Sequence, residues 1–139
     1  MAQPLLLDTH CWIWLQDGRT ESFSGAAKAA IRRAADDDDL LVSAISGWEI
    51  ALLDSKKRIS LSTDCEQWIR QAAGTPGLRI MPITMAIAVH SNRLPGEFHG
   101  DPADRILVAT ARMEGAQLLT KDRKILDYAR FKHIRVMSA

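Results

Sequence analysis

Short apolar runs that alternate with helical patterns constrain the fold of this chain more than any other feature of its sequence. The apolar runs, each predicted to form a strand, lie at residues 4–7, 40–44, 78–83, 116–120 and 133–137. The helical patterns lie at residues 24–35, 46–57, 64–73, 84–93, 101–115 and 121–130. Residues 58–63 are predicted to be a short extended piece. Strands that alternate with helices indicate βαβ units, so the sequence predicts an α/β fold whose mainly parallel sheet is covered on both faces.

Length and composition predict one domain that spans residues 1–139. A domain of this size buries about 68% of the surface that its unfolded chain exposes, which is enough for a stable core without disulfide bonds. The net charge of +1 gives no sign of a nucleic-acid or membrane partner. Cys11 and Cys65 lie outside any CxxC motif, the first four residues lack a basic leader, and no apolar stretch approaches ~20 residues. These features predict a cytoplasmic protein with reduced thiols.

Acidic residues follow the strands at the edge of the predicted sheet where ligands bind, outside the carboxyl ends of the strands. Asp8 closes the first strand, and Asp122 comes two residues after the fourth. Glu49 lies in the helix after the second strand. Asp104 lies in the first turn of the helix before the fourth strand, three residues after Asp101. Because parallel strands end at one edge of a sheet, we expect these acids to meet in space.

Each of these acids also has a purely structural interpretation. Asp8, Asp101 and Asp122 have the side chain of a good N-cap, and Asp104 suits the positive end of a helix dipole. Glu49 could reach solvent from an amphipathic helix, although its apolar neighbours disfavour that. The functional interpretation therefore rests on the acids as a set and not on any single residue.

Carboxylates that converge require a counter-charge. Two unit charges about 4 Å apart repel by about 4 kcal/mol at an effective dielectric constant near 20. The histidines are not spaced for zinc, so a hard cation such as Mg²⁺ or Mn²⁺ fits better. A pair of such ions suits phosphodiester hydrolysis. Arg105, beside the acids, is a candidate phosphate contact or a partner for Asp101, and basic residues at 56–58, 121–124 and 130–135 could hold a phosphate backbone.

Two local predictions concern residues outside the acidic set. Ser46 is a plausible N-cap for the helix at 46–57. The four tryptophans are expected to fill the core or an interface, and they lie at positions Trp12, Trp14, Trp48 and Trp68.

Four segments in one order resemble a PIN-domain ribonuclease, specifically a VapC-type toxin of a bacterial toxin–antitoxin pair. The segments are LLLDTHCWIWL at 5–15, SAISGWEIALL at 43–53, FHGDPADRILVATA at 98–111 and LLTKD at 118–122. The resemblance implies a three-layer α/β/α sandwich, PIN-like and Rossmann-like, with a mainly parallel central sheet. It also implies Mg²⁺- or Mn²⁺-dependent endonucleolytic cleavage of RNA.

The resemblance assigns roles to individual residues. It carries the acidic positions of the family over to Asp8, Glu49, Asp104 and Asp122 as catalytic residues and metal ligands. Asp101 belongs to the motif HGDPADR and is either a helix cap or a residue that supports the ligands. Thr120 stands where such proteins place a threonine beside the last aspartate. Implied partners are an RNA substrate, a second copy in a homodimer, and a cognate antitoxin that covers the acidic groove and itself binds operator DNA.

The expected mechanism has a metal-activated water that attacks the scissile phosphate in line. Asp8 and Asp104 would hold the ion most directly, and Glu49 and Asp122 would complete the set. One alternative is a phosphotransfer α/β hydrolase or receiver, in which Asp8 is phosphorylated. A dehalogenase-like hydrolase would have a second acid two residues on, where this chain has His10. The other alternative is a PIN-like module that binds RNA or protein without cutting, which the intact acidic set disfavours.

Overall fold

The computed structural model describes residues 3–139 of the chain. Its strands are β1 (Leu5–Leu7), β2 (Leu40–Ser43), β3 (Leu78–Met81), β4 (Gln117–Thr120) and β5 (Arg135–Ser138). Its α-helices are α1 (Thr9–Gln16), α2 (Gly25–Asp36), α3 (Ala44–Ser55), α4 (Cys65–Ala73), α5 (Met85–His90), α6 (Pro102–Glu114) and α7 (Arg123–Tyr128). Short 3₁₀ turns occupy Thr20–Ser22 and Ala129–Phe131.

The five strands form one parallel sheet in the order β3-β2-β1-β4-β5. Leu5 pairs with Leu40 of β2 on one side and with Gln117 of β4 on the other. The chain first winds outward from β1 to β3 and then returns to place β4 beside β1. The strand order therefore reverses between β1 and β4, the kind of switch point where ligands of open α/β sheets bind.

Hydrophobic cores lie on both faces of the sheet, because successive side chains of a strand point to opposite sides. Leu5 and Leu7 pack in one core with α1 and α2, whereas Leu6 packs in the other core with α6 and α7. Leu6 and Leu7 are both fully buried. The predicted three-layer α/β/α arrangement with a mainly parallel sheet is thus confirmed.

The helix α1 was not predicted from the sequence. Its burial explains why, since the consecutive residues Cys11, Trp12 and Ile13 are all buried and leave no amphipathic stripe to detect. The helix begins because the Asp8 side chain accepts a hydrogen bond from the backbone N–H of Cys11 at 2.8 Å.

Two other local predictions are wrong. Ser46 does not cap α3: the helix begins at Ala44, and its N-cap is Ser43, whose hydroxyl accepts from the N–H of Ile45. Residues 58–63, predicted to be extended, form two bends joined by an irregular segment, with no strand. The tryptophans were predicted to fill the core or an interface: Trp12 and Trp68 are buried in the core, whereas Trp48 is 57% exposed and stays a predicted interface residue.

Helix α6 has favourable residues at both ends. Asp101 is its N-cap, Pro102 is its first residue, and Gly115 ends it in the left-handed conformation with φ of 62°. The helices predicted at 84–93 and 121–130 are present but shorter than expected, since α5 ends at His90 and α7 at Tyr128. Within residues 3–139, no helix has the length and apolar character required to cross a membrane.

Candidate active site

A cleft of about 430 Å³ opens at the carboxyl ends of β1 and β4. It is lined by the four acids predicted as ligands, Asp8, Glu49, Asp104 and Asp122, together with Asp101. The remaining lining residues are Thr9, His10, Trp14, Leu107, Lys121 and Lys124. Acids that lie up to 114 positions apart in the sequence thus face one cleft at the switch point of the sheet.

Asp8 is the most constrained of these acids, with only 8% of its surface exposed. One carboxylate oxygen accepts from the N–H of Cys11, and the other accepts from the hydroxyl of Thr120 at 2.5 Å. The Thr120 hydroxyl in turn accepts from the backbone N–H of Asp122 at 2.9 Å. Thr120 therefore joins the end of β1 to the loop that carries Asp122 and fixes the orientation of the Asp8 carboxylate.

Glu49 is held by the buried hydroxyl of Thr9, which in turn contacts the buried hydroxyl of Ser46, and neither was predicted as a site residue. The Thr9 hydroxyl donates to Glu49 Oε1 at 2.5 Å, and it lies 2.9 Å from the Ser46 hydroxyl. Thr9 is 2% exposed and Ser46 is 0% exposed. The available signal was a pair of small polar residues in segments that are otherwise apolar, each within three positions of a predicted acid.

Three of the acids cap helices as well as line the cleft. The Asp101 carboxylate accepts from the N–H of Asp104 at 2.9 Å, and that of Asp122 accepts from the N–H of Lys124 at 2.9 Å. Asp8 caps α1 in the same way. Because the helices α1 and α6 point their positive N-terminal ends at the cleft, their dipoles partly offset the repulsion among the acids.

Asp104 has a raised pKa. Burial is the largest cause, and together with the negative charges of Asp101, Asp122 and Glu49 it raises the pKa of this carboxyl group from 3.8 to about 7. A hydrogen bond from the backbone of Asp101 acts in the opposite direction. Because neighbouring negative charges contribute to the raised pKa of Asp104, the cleft favours the entry of positive charge.

The donor atoms around the cleft suit a hard cation. They are mainly carboxylate oxygens, the ligands that Mg²⁺ and Mn²⁺ prefer. The thiol of Cys11 is not a competing soft ligand, because burial and the charge of Asp8 raise its pKa strongly. Within residues 3–139, no three His, Cys, Asp or Glu side chains lie close enough together to chelate an ion in this conformation. The acids surround the cleft without forming a closed cage.

Two lysines form a positive lip beside the acids. Both Lys121 and Lys124 are exposed, and the ammonium of Lys121 lies 5.1 Å from the ring centroid of Trp14 in a cation–π contact. Arg105, in contrast, does not line the cleft. Its guanidinium donates to the carbonyls of Ser91 and Phe98 at 3.0 and 2.7 Å, so it fastens the loop before α6.

The parallel sheet and the acidic cleft at its switch point define the class of protein. The chain belongs to the PIN-domain family, whose model matches residues 5–131. Within this family it is of the VapC type, being 40% identical to Ribonuclease VapC22 of Mycobacterium tuberculosis over 121 residues, or 87% of this chain and 88% of that protein.

Several solved structures have a similar fold. VapBC2 from Rickettsia felis, bound to a DNA fragment from its promoter, matches with a TM-score of 0.69 and 13% identity, covering 97% of this chain and 98% of that one. A toxin–antitoxin complex from Klebsiella pneumoniae matches with a TM-score of 0.62 and 27% identity, covering 96% and 95%.

Proposed function

We propose that this protein is a metal-dependent endoribonuclease that hydrolyses RNA phosphodiester bonds and acts as the toxin of a toxin–antitoxin pair. The observation that carries the proposal is the meeting of Asp8, Glu49, Asp104 and Asp122 around one cleft at the switch point of the sheet. The 40% identity to a protein named as a ribonuclease supports the same activity here.

Mg²⁺ or Mn²⁺ is the proposed cofactor. Asp8 and Asp104 would hold the ion most directly, and Glu49 and Asp122 would complete the set. When bound, such an ion lowers the pKa of the attacking water and neutralises charge on the phosphate. Because the pKa of Asp104 is about 7 without a cation, part of its population is protonated near neutral pH, and this proton leaves when positive charge enters the cleft.

The side chains of the protein position the reacting groups. Thr120 and the N–H of Cys11 hold the Asp8 carboxylate in one orientation, and Thr9 does the same for Glu49. Lys121 and Lys124 stand at the lip of the cleft, where their charges attract the phosphate backbone of RNA.

The proposed macromolecular partners follow from the same resemblance. We propose a cognate antitoxin that covers the acidic cleft, a homodimer of this chain, and contact with operator DNA only through the antitoxin. The match to the toxin–antitoxin complex from Klebsiella pneumoniae supports the antitoxin as a partner. A cytoplasmic location is part of this proposal, since the RNA substrate is found there.

The replacement of Asp8 by asparagine tests the proposed function. Asparagine caps helices as well as aspartate does, so Asp8→Asn keeps α1 in place while it removes a ligand charge. We expect cleavage of RNA to fall by more than about 100-fold, beyond the effect typical of residues that only support metal ligands. The assay measures cleavage of a fluorescent single-stranded RNA with Mn²⁺, with Mg²⁺ and with EDTA.

Asp8→Ala serves as the matched control, because it removes both the charge and the cap and should also destabilise the fold by about 1 kcal/mol. Full activity of the Asp8→Asn variant, purified free of other nucleases, would contradict the catalytic role of Asp8. A wild-type protein that binds RNA but cleaves none with either metal would instead support the non-cleaving module.

A further inference from the structure

A second cavity, of about 560 Å³, lies beside the acidic cleft, between the loop before α6 and the helix α7. Phe98 and Tyr128 form its buried wall, with ring centroids 5.0 Å apart. Phe131, at its rim, is 70% exposed. None of these three aromatic residues lines the acidic cleft.

The wall of this cavity is fixed before any ligand enters. The Tyr128 hydroxyl donates to the carbonyl of Pro95 at 2.5 Å, and the ring of His133 lies against that of Tyr128 with centroids 5.4 Å apart. Arg105 holds the carbonyl of Phe98 at 2.7 Å. The aromatic rings therefore form a rigid surface, which lowers the entropic cost of binding a flat ligand.

The cavity and the acidic cleft share a lining residue, Lys124. They also come close on either side of Gly100. A Cβ atom added to Gly100 would lie 2.4 Å from the ring of Phe98 and 2.8 Å from Cβ of Asp104. The aromatic wall and a proposed metal ligand are thus separated by one glycine, and a molecule in the cavity would lie next to a phosphate in the cleft.

We infer that this cavity binds a nucleobase of the RNA substrate, adjacent to the scissile phosphate, an inference that rests on the proposed endoribonuclease function. Single-stranded RNA is recognised by splayed bases that stack on aromatic side chains and are hydrogen-bonded at their edges. Phe131 offers an exposed ring for stacking. The histidines and acids that line the cavity offer polar groups for the base edges, and these are His99, His133, Glu97 and Asp127. Lys124 is placed to contact the phosphate between the two sites.

Photo-crosslinking locates the base directly. The probe is a random-sequence single-stranded RNA with 5-iodouridine in place of uridine, bound to the full chain carrying Asp8→Asn so that the RNA stays intact. We expect adducts on Phe131 or Tyr128, identified by mass spectrometry of the digested protein. Adducts confined to residues outside the cavity, such as Trp14, would overturn the inference.

Substitutions of Phe131 separate stacking from simple apolar bulk. Phe131→Leu should weaken binding of this RNA by roughly 5- to 100-fold, the loss of about one base–aromatic stack, whereas Phe131→Tyr should retain it. Met85→Ala is the matched control, since Met85 is 81% exposed and lies on α5, outside both cavities. Equal affinities of Phe131→Leu and the wild type would overturn the inference.

Three further outcomes keep this inference distinct from the proposed function and from docking of the antitoxin. If the wild type cleaves RNA but no adduct forms in the cavity, the base site is wrong and the nuclease stands. If adducts form in the cavity but the wild type cleaves no RNA with Mg²⁺ or Mn²⁺, the nuclease is wrong and the base site stands. If Phe131→Leu loses inhibition by the antitoxin but not RNA affinity, the cavity is a protein-docking site and the inference fails.

Discussion

Single carboxylates in this protein have two functions at once. Asp8, Asp101 and Asp122 each accept a hydrogen bond from the first turn of a helix, and each also lines the acidic cleft. A cap fixes the orientation of its side chain, so these acids are positioned by the same contact that begins the helix. The sequence offered capping and function as alternatives for these residues, whereas the structure combines capping with a place in the cleft.

The raised pKa of Asp104 predicts how stability depends on pH. Its folded-state pKa of about 7 lies above the ordinary value of 3.8, so the folded protein binds a proton that the unfolded chain lacks between these values. Stability of the metal-free protein should therefore fall as pH rises from about 4 to 7. Asp104→Asn should remove this loss and stabilise the protein at pH 8 by on the order of 1 kcal/mol, after allowance for solvent screening.

Urea unfolding in EDTA at pH 4 and at pH 8 measures this effect. Glu114→Gln, an exposed acid at the far end of α6, is the control and should change stability equally little at both pH values. An Asp104→Asn variant with no gain over the wild type at pH 8 would show that burial and the neighbouring acids do not raise the pKa of Asp104.

Thr9 is expected to act through Glu49 as a positioning residue. Thr9→Val keeps the shape of the buried side chain but removes the hydrogen bond to Glu49 Oε1. We expect kcat for RNA cleavage to fall by about 10- to 100-fold, the usual effect of losing a residue that orients a ligand, with KM little changed. Thr9→Ser should restore the rate. Equal defects in the two variants would assign Thr9 to packing alone.

At the scale of elements, the strands could be predicted because each is a short apolar run. In β1, alternate leucines enter opposite cores, so both faces must be apolar. Helix α1 was not predicted because it is buried on several sides, so its apolar residues do not recur with the period of an amphipathic helix. The start of α3 was misplaced because Ser43 and Ser46 are both good caps, and only the tertiary contact of Ser46 with Thr9 decides between them.

Two glycines with positive φ should differ sharply in what they tolerate. Gly77, before β3, has φ of 81°, and an added Cβ would lie 2.0 Å from the carbonyl oxygen of Ala35. Gly115 has φ of 62° with open space around it. We expect Gly115→Ala to cost about 1–2 kcal/mol, the cost of the left-handed conformation, and Gly77→Ala to cost clearly more because backbone must move.

Urea unfolding followed by circular dichroism ranks these two variants. If Gly77→Ala does not fold, its far-ultraviolet spectrum and soluble yield give the same ranking. Equal midpoints for the two variants would contradict the close approach between Gly77 and α2.

At the scale of the whole molecule, the order of strands and helices was enough to predict which acids share an edge of the sheet. It could not predict how those acids are held. The contacts of Thr9 with Glu49, and of Arg105 with the loop at Ser91 and Phe98, depend on the path of the chain between elements. The sequence therefore predicted the acids of the cleft and, through the resemblance, Thr120 beside them, while Thr9 and the contacts of Arg105 required the three-dimensional structure.

The central claim is that this cleft gathers distant acids to bind a hard dication. Anomalous diffraction from crystals grown with Mn²⁺, at a concentration that supports RNA cleavage, tests it most directly. The account predicts a manganese peak within about 2.0–2.2 Å of carboxylate oxygens of Asp8 and Asp104, and no such peak in crystals of the Asp8→Asn variant. A wild-type map without manganese in the cleft, with these side chains turned away from one another, would contradict it.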